Sequence, residues 1–374
     1  SLFGYLVAVV GALSLAAVYA RLGRIQPAEG GHYAYTREAF GDVPAFLVAW
    51  GYWTSCWIGN ASIATAAVGY LAVFVPVIGS SPATTAGAAL GLIWVLTALN
   101  VRGLREAALF QLVVTVLKVA PLVLIATLGL FWIEPANLTP LNVSGGSGMS
   151  AITAAAVFAL WGFLGFESLT IPAEEVEAAE STIPRVTLIG TGATALIYVL
   201  STLVVMGVVS VSELASSTVP MADAASRMWG ATAGTVVAAG ATLAGIGVLN
   251  GWVIMQGQMP LAPARDGLFP AAFARLNERH APVFGLVVSS ALCTVLVAAN
   301  YTRGLIGLFE FALLLATVTV LVPYAFTAAA QIVLIRRDPE RWGGDDARRA
   351  MVTSVVGLAF SLLAIIWAGV TSIV

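Results

Sequence analysis

Residues 43 to 101 carry no charged side chain, and a cluster of turn formers, Pro76, Gly79, Ser80, Ser81 and Pro82, divides them. That length holds two membrane spans of about 20 residues each, with the turn between them. The same alternation of apolar runs and polar punctuation continues to the end of the chain. It predicts ten apolar helices at about 2–20, 44–74, 83–100, 108–133, 150–172, 186–212, 231–258, 283–300, 305–335 and 351–373. The longer ones are expected to tilt or to extend past the bilayer.

Inside the fifth run the pattern breaks at Trp161-Gly-Phe-Leu-Gly-Phe-Glu167-Ser168. Two glycines three residues apart allow a helix to open, and the backbone groups freed there need a wet or protein-lined partner. A carboxylate at bilayer depth costs on the order of 2 to 3 kcal/mol even on lenient scales and marks a pathway. An interrupted helix of this kind is the expected form of a transporter binding site. Read instead as a small-xxx-small helix contact, Gly162 and Gly165 would leave Glu167 without a role.

Two other spans carry polar side chains. Tyr52, Cys56, Asn60 and Ile63 recur on one helical face of the second run. Asn60 there is either a ligand or an interhelical hydrogen bond worth about 1 kcal/mol. Lys118 lies about three turns into its span, some 15 Å of helix, a long reach for a snorkelling side chain. A buried lysine can cycle a proton.

Composition agrees with the pattern. Of 374 residues, 59% are hydrophobic and only 10% charged, against roughly 25% charged in soluble domains. A net charge of −2 excludes an electrostatic footprint for nucleic acid. Cys56 and Cys293 both sit in apolar runs, so no disulfide is expected. Fourteen arginines fall in alternate loops, among them Arg24, Arg37, Arg102, Arg265 and Arg337; the remaining loops hold only Arg227 and Arg303. This bias puts the basic loops in the cytoplasm and both Ser1 and Val374 outside, with the plasma (inner) membrane as the expected location.

The acidic run Glu174, Glu175, Glu177 and Glu180, and Glu310 near a span end, read as solvated. His32 and His280 fall in loops with no second ligand near in sequence, so no metal or other cofactor is expected. No phosphate-binding loop or nucleophilic triad is present. A channel would need a continuous polar stripe, and an enzyme would need convergent catalytic groups at one depth. Neither pattern is found.

Several stretches together resemble amino acid–polyamine–organocation permeases, most of all the arginine/agmatine antiporters. They are Pro27-Ala-Glu-Gly-Gly-His-Tyr-Ala-Tyr-Thr-Arg-Glu-Ala-Phe-Gly41, Tyr52-Trp-Thr-Ser-Cys-Trp-Ile-Gly-Asn60, Leu160 to Ser168, Asn250-Gly-Trp252, Asp266-Gly-Leu-Phe-Pro270 and Leu321-Val-Pro-Tyr324. Their order and spacing run the length of the chain. The resemblance implies one transporter domain over residues 1–374, an all-α polytopic membrane protein with a LeuT-type five-plus-five inverted repeat. In that frame the chain covers family helices 2 to 11, with helix 1 and helix 12 absent. Helix 1 would hold the substrate carboxylate on unwound backbone amides.

The resemblance also implies roles. Trp161 becomes the outer aromatic lid and Trp252 a middle gate able to stack on a cation. Asn60, Cys56, Ser55, Ile63 and Leu164 complete a substrate site. Glu167, Tyr52 and Tyr324 form a proton-responsive cytoplasmic gate. Lys118 occupies the space that a sodium ion takes in sodium-coupled relatives. Ile63 stands where arginine-type members have methionine, Ser55 where they have alanine, and Ala316 where they have serine, which weakens arginine as substrate. The expected activity is secondary transport of an amino acid or polyamine by alternating access, as an exchanger or with protons. A neutral amino acid or polyamine permease, a membrane sensor of the same fold, and a homodimer stay open.

Overall fold

The computed structural model describes residues 2–102, 119–139, 142, 146–171, 173, 176–344 and 346–371. The apolar runs fold as helices: α1 (Leu2–Ile25), α2 (His32–Phe40), α3 (Asp42–Leu71), α4 (Pro82–Arg102), α5 (Val119–Trp132), α6 (Gly148–Trp161), α7 (Ala179–Val208), α8 (Pro220–Trp229), α9 (Ala231–Gln258), α10 (Val283–Asn300), α11 (Gly304–Arg337) and α12 (Ala347–Thr371). Six stretches among the described residues are long and apolar enough to cross a membrane, by length and composition. The first part of the expected span at 108–133, residues 108–118 with Lys118 among them, lies outside the described residues, as do Glu174 and Glu175.

Local chemistry sets the ends. Ser81 and Thr84 bond each other's backbone amides before the first turn of α4, and Ser147 accepts from the Ser150 amide at the start of α6. Both arrangements satisfy amide donors that a helix leaves free at its first turn. Proline opens α4 and α8, where the missing donor has no intrahelical partner to lose.

The helices sort into two groups. Helices α3, α4, α9 and α10 pack on one another, while α1 packs on α6 and α7; α11 lies along both groups, and α12 packs on α11, α1 and α6. Pro323, inside α11, cannot donate to the Thr319 carbonyl. Helix α3 approaches that point closely: a Cβ on Gly51 would stand 3.2 Å from the Thr319 oxygen. This crossing brings Tyr52, the next residue, and Tyr324 into the same layer.

The basic loops share one end of the bundle. Arg37 bridges Asp266, Arg265 bridges Glu29, Arg341 bridges Glu38 at 2.8 Å, and Arg21 and Arg24 both reach Asp346. Arg227 and Glu213 pair separately. Exposed pairs of this kind contribute about 0–1 kcal/mol each, so they align the loops more than they stabilise the fold. Arg21 is the exception in burial, donating also to the Trp342 and Gly343 carbonyls.

Candidate functional site

Helix α6 stops at Trp161, and residues 162 to 167 are turns rather than helix. The expected opening is therefore present, within the apolar run predicted at 150–172. Gly165 takes φ +112°, a conformation open to glycine and strained for other residues. The freed backbone groups find local partners. The Gly165 amide donates to Glu167 Oε2 at 3.2 Å, and the Gly165 carbonyl accepts from the Ser168 hydroxyl at 2.6 Å. The Glu167 carbonyl accepts from the Thr170 hydroxyl at 2.7 Å. The break is thus held by its own side chains, as an interruption buried among helices requires.

Glu167 is fully buried. Tyr52 of α3 donates to its Oε1 at 2.7 Å, linking the two helix groups through one charge-assisted bond. Aromatic rings enclose this carboxylate. Phe166 lies 5.2 Å from Tyr324 and 5.7 Å from Tyr19, and Tyr19 lies 5.8 Å from Tyr324. Tyr324 enters this layer through its ring; Tyr52 enters through both ring and hydroxyl.

Trp252 of α9 sits beside the break, 3.6 Å from where a Cβ of Gly165 would be, and its ring centre lies 6.4 Å from that of Tyr52. Trp161 packs edge-on against Phe309 of α11 at 5.8 Å. Both tryptophans keep partial exposure, whereas Tyr52, Glu167 and Tyr324 have none.

The face of α3 read from the sequence is buried throughout: Tyr52, Cys56, Asn60 and Ile63 are 0 to 7% exposed. Ser55 is also buried, and its hydroxyl donates to its own helix at the Tyr52 carbonyl, 2.7 Å away. Leu164 lies in the break, partly buried against the same core. Ala316 is 3.7 Å from the Cβ position of Gly59, which places it against α3 one residue before Asn60. Asn60 donates to Gln256 of α9 at 2.7 Å. Lys118 falls outside the described residues, and no position relative to these groups is assigned to it.

Two site residues were missed in the sequence. Gln256 stands one helical turn after Trp252 in an apolar run, and that spacing was the available signal. His32, read as a loop residue, begins the short helix α2 and is fully buried. Its ring centre lies 4.0 Å from that of Tyr52 and 6.2 Å from Tyr19, and neither ring nitrogen has a hydrogen-bond partner among the described residues. Helix α2 packs on α3 and α11, and that docking removes His32 from water. Glu177, Glu180 and Glu310 are exposed, as expected.

Loss of hydration pushes His32 down from 6.5 to about 3. When α2 releases, the imidazole regains its ordinary value and binds a proton that the packed state does not. Acid therefore favours release below pH 6.5, by about 1.4 kcal/mol per pH unit until the packed value is reached. The melting temperature of the purified protein is expected to fall more steeply between pH 6.5 and 4 than that of His32→Phe. Parallel curves for the two proteins would show that His32 is not held neutral in the native state.

A family model described as amino acid permease matches residues 1–373. The cadaverine/lysine antiporter of Escherichia coli strain K12 is 30% identical over 379 residues, covering 98% of this chain and 82% of that protein. The putrescine transporter PotE of Haemophilus influenzae is 31% identical over 376 residues, covering 99% and 84%. Among solved structures, a point mutant of the manganese transporter of Eremococcus coleocola aligns with a TM-score of 0.58 at 14% identity, over 100% of this chain and 84% of that one. The same transporter in complex with an aromatic bis-isothiourea compound aligns with TM-score 0.58 at 13% identity, over 97% and 79%. At that identity the likeness bears on the fold alone.

Proposed function

Because this chain belongs to the amino acid permease family, we propose that it exchanges a cationic amino acid for an aliphatic diamine by alternating access. It is a multi-pass membrane transporter and not an enzyme. The observation that carries the reading is the interrupted helix at 162–167, which sets Glu167 against Tyr52 and Gly165 beside Trp252. Glu167 is the one fully buried carboxylate among the described residues. A buried charge is tolerated when paired. Glu167 can therefore close the site through Tyr52 and exchange a proton when that contact opens, which would couple gating to proton binding.

Trp161 and Trp252 would cover the aliphatic stem, Asn60 would receive the distal cation, and Cys56, Ile63 and Leu164 would line the walls. In this reading Glu167, Tyr52 and Tyr324 close the cytoplasmic side, which is the end carrying the basic loops. Ile63 and Ala316 in place of the arginine-type residues favour a simple ammonium over a guanidinium. The relatives named for lysine, cadaverine and putrescine point the same way. The two helix groups would rock about the site to expose it to either face.

Counterflow tests this directly. The full chain is reconstituted in liposomes, and uptake of labelled lysine is measured with cadaverine, putrescine or nothing inside. Internal diamine is expected to raise the initial rate about tenfold, because only a loaded carrier returns. Equal rates in loaded and empty vesicles would remove exchange. Absence of amine-dependent uptake in every arm would remove the substrate class.

A further inference from the structure

Four polar side chains from four helices form a continuous run through the core. Asn60 of α3, Gln256 of α9 and Ser290 of α10 are 0% exposed, and Thr97 of α4 is 2%. Asn60 Nδ2 donates to Gln256 Oε1 at 2.7 Å, and Gln256 Nε2 donates to Ser290 Oγ at 2.9 Å. Ser290 Oγ and Thr97 Oγ1 lie 2.7 Å apart. The Thr97 proton is already committed to the Ile93 carbonyl at 2.8 Å, so Ser290 is the donor in that contact. Every link then runs in one direction, from Asn60 toward Thr97.

The run ends at Asn60 Oδ1, which is buried and has no hydrogen-bond partner among the described residues. A free asparagine amide can present either its oxygen or its nitrogen by turning 180°. Here turning Asn60 would oppose two carbonyl oxygens unless Gln256 turned as well. A turned Gln256 would in its place set Oε1 against Ser290, whose proton is held by Thr97. The Gln256 backbone is pinned too: its carbonyl accepts from Ser289 at 3.3 Å, and Ser289 accepts from the Trp53 indole at 2.8 Å.

We infer that Gln256 is a specificity-determining positioning residue: by holding the Asn60 amide nitrogen and leaving its carbonyl oxygen as the side-chain atom without a partner among the described residues, it makes the site select substrates that end in a hydrogen-bond donor. The favoured ligand class is an alkylammonium, and the disfavoured one is an isostere ending in a methyl group. This rests on the exchange reading above and names what reads the distal end of the substrate. Gln256 does not touch the ligand; it acts through Asn60. A merely structural Gln256 would join helices, as buried amides in membrane bundles do, and would leave ligand choice unchanged.

The test compares lysine with 2-aminoheptanoate, which carries a methyl group where lysine carries its ammonium. Inhibition constants against labelled cadaverine exchange are measured for the full chain and for Gln256→Met, with melting temperatures of both. A site built around a polar contact rejects the analogue that lacks it; the wild type is expected to prefer lysine about a hundredfold, and Gln256→Met about tenfold or less. Should Gln256→Met fail to fold, Ser290→Ala carries the same prediction at about threefold, since it removes the group that orients Gln256. An unchanged preference in the folded variant, with only the melting temperature moved, overturns the inference while leaving exchange intact. A wild type that exchanges no amine overturns the functional reading first, and this inference with it.

Discussion

Glu167→Ala is expected to lower exchange about a hundredfold, measured as initial counterflow rates in liposomes. The carboxylate accepts from Tyr52 across the two helix groups and from the Gly165 amide within the break. Hydrogen bonds to a charged group contribute about 1.5–3 kcal/mol, and removing one partner leaves the buried Tyr52 hydroxyl unsatisfied. A change of about 3 kcal/mol in one conformation alone shifts its population roughly a hundredfold. Glu167→Gln separates the two tasks of this residue. Its amide oxygen still accepts from Tyr52, so exchange is expected to stay within about threefold of wild type. The amide cannot take a proton, so the pH dependence of exchange is expected to flatten. Wild-type rates in Glu167→Ala would remove the gate, and an unchanged pH profile in Glu167→Gln would remove proton coupling through this group.

Gly165→Ala is expected to lower exchange by about ten- to a hundredfold. The reason is the backbone, since φ +112° costs a non-glycine residue of order 1–3 kcal/mol, and each 1.36 kcal/mol is tenfold. Space is not the obstacle, because the nearest atom to an added Cβ is Trp252 Cζ2 at an ordinary 3.6 Å. Gly162 makes the contrast. Its φ of −66° suits any residue, but an added Cβ would meet the Tyr198 ring at 3.1 Å. A defect in Gly162→Ala should therefore be relieved by Tyr198→Leu, whereas the Gly165→Ala defect should not. If Gly165→Ala exchanges at the wild-type rate, the left-handed turn is not needed for transport.

Much of the site was legible because a bilayer penalises what water tolerates. Glu167 stood out since a carboxylate in an apolar run needs a reason, and Gly162 and Gly165 stood out since they weaken a helix beside it. The face of Tyr52, Cys56, Asn60 and Ile63 followed from helical spacing alone, and all four side chains are buried as that face predicts. The break itself was predicted from the same run and is found at residues 162–167.

Partners were not legible. Asn60 and Gln256 are 196 positions apart, and nothing in the spacing of either says that the two helices cross at that height. His32 follows two glycines and precedes Arg37 and Glu38, a polar context that reads as loop. Only the docking of α2 onto α3 and α11 takes it out of water and sets it against Tyr52. The Ser55 hydroxyl donates to its own helix, a local bond that the pattern of apolar positions does not reveal.

The sequence by itself determined that this chain is a bundle of membrane helices, with one broken beside a buried carboxylate. The bilayer enforces that result: backbone groups must be satisfied within each span, and charge is excluded except where it has a partner. How that carboxylate is held, by the Tyr52 hydroxyl and the Gly165 amide, and which end of Asn60 stays free, was decided only by tertiary structure. Those choices depend on hydrogen-bond distances between helices far apart in the chain, and a periodic pattern of apolar residues carries no information about such distances.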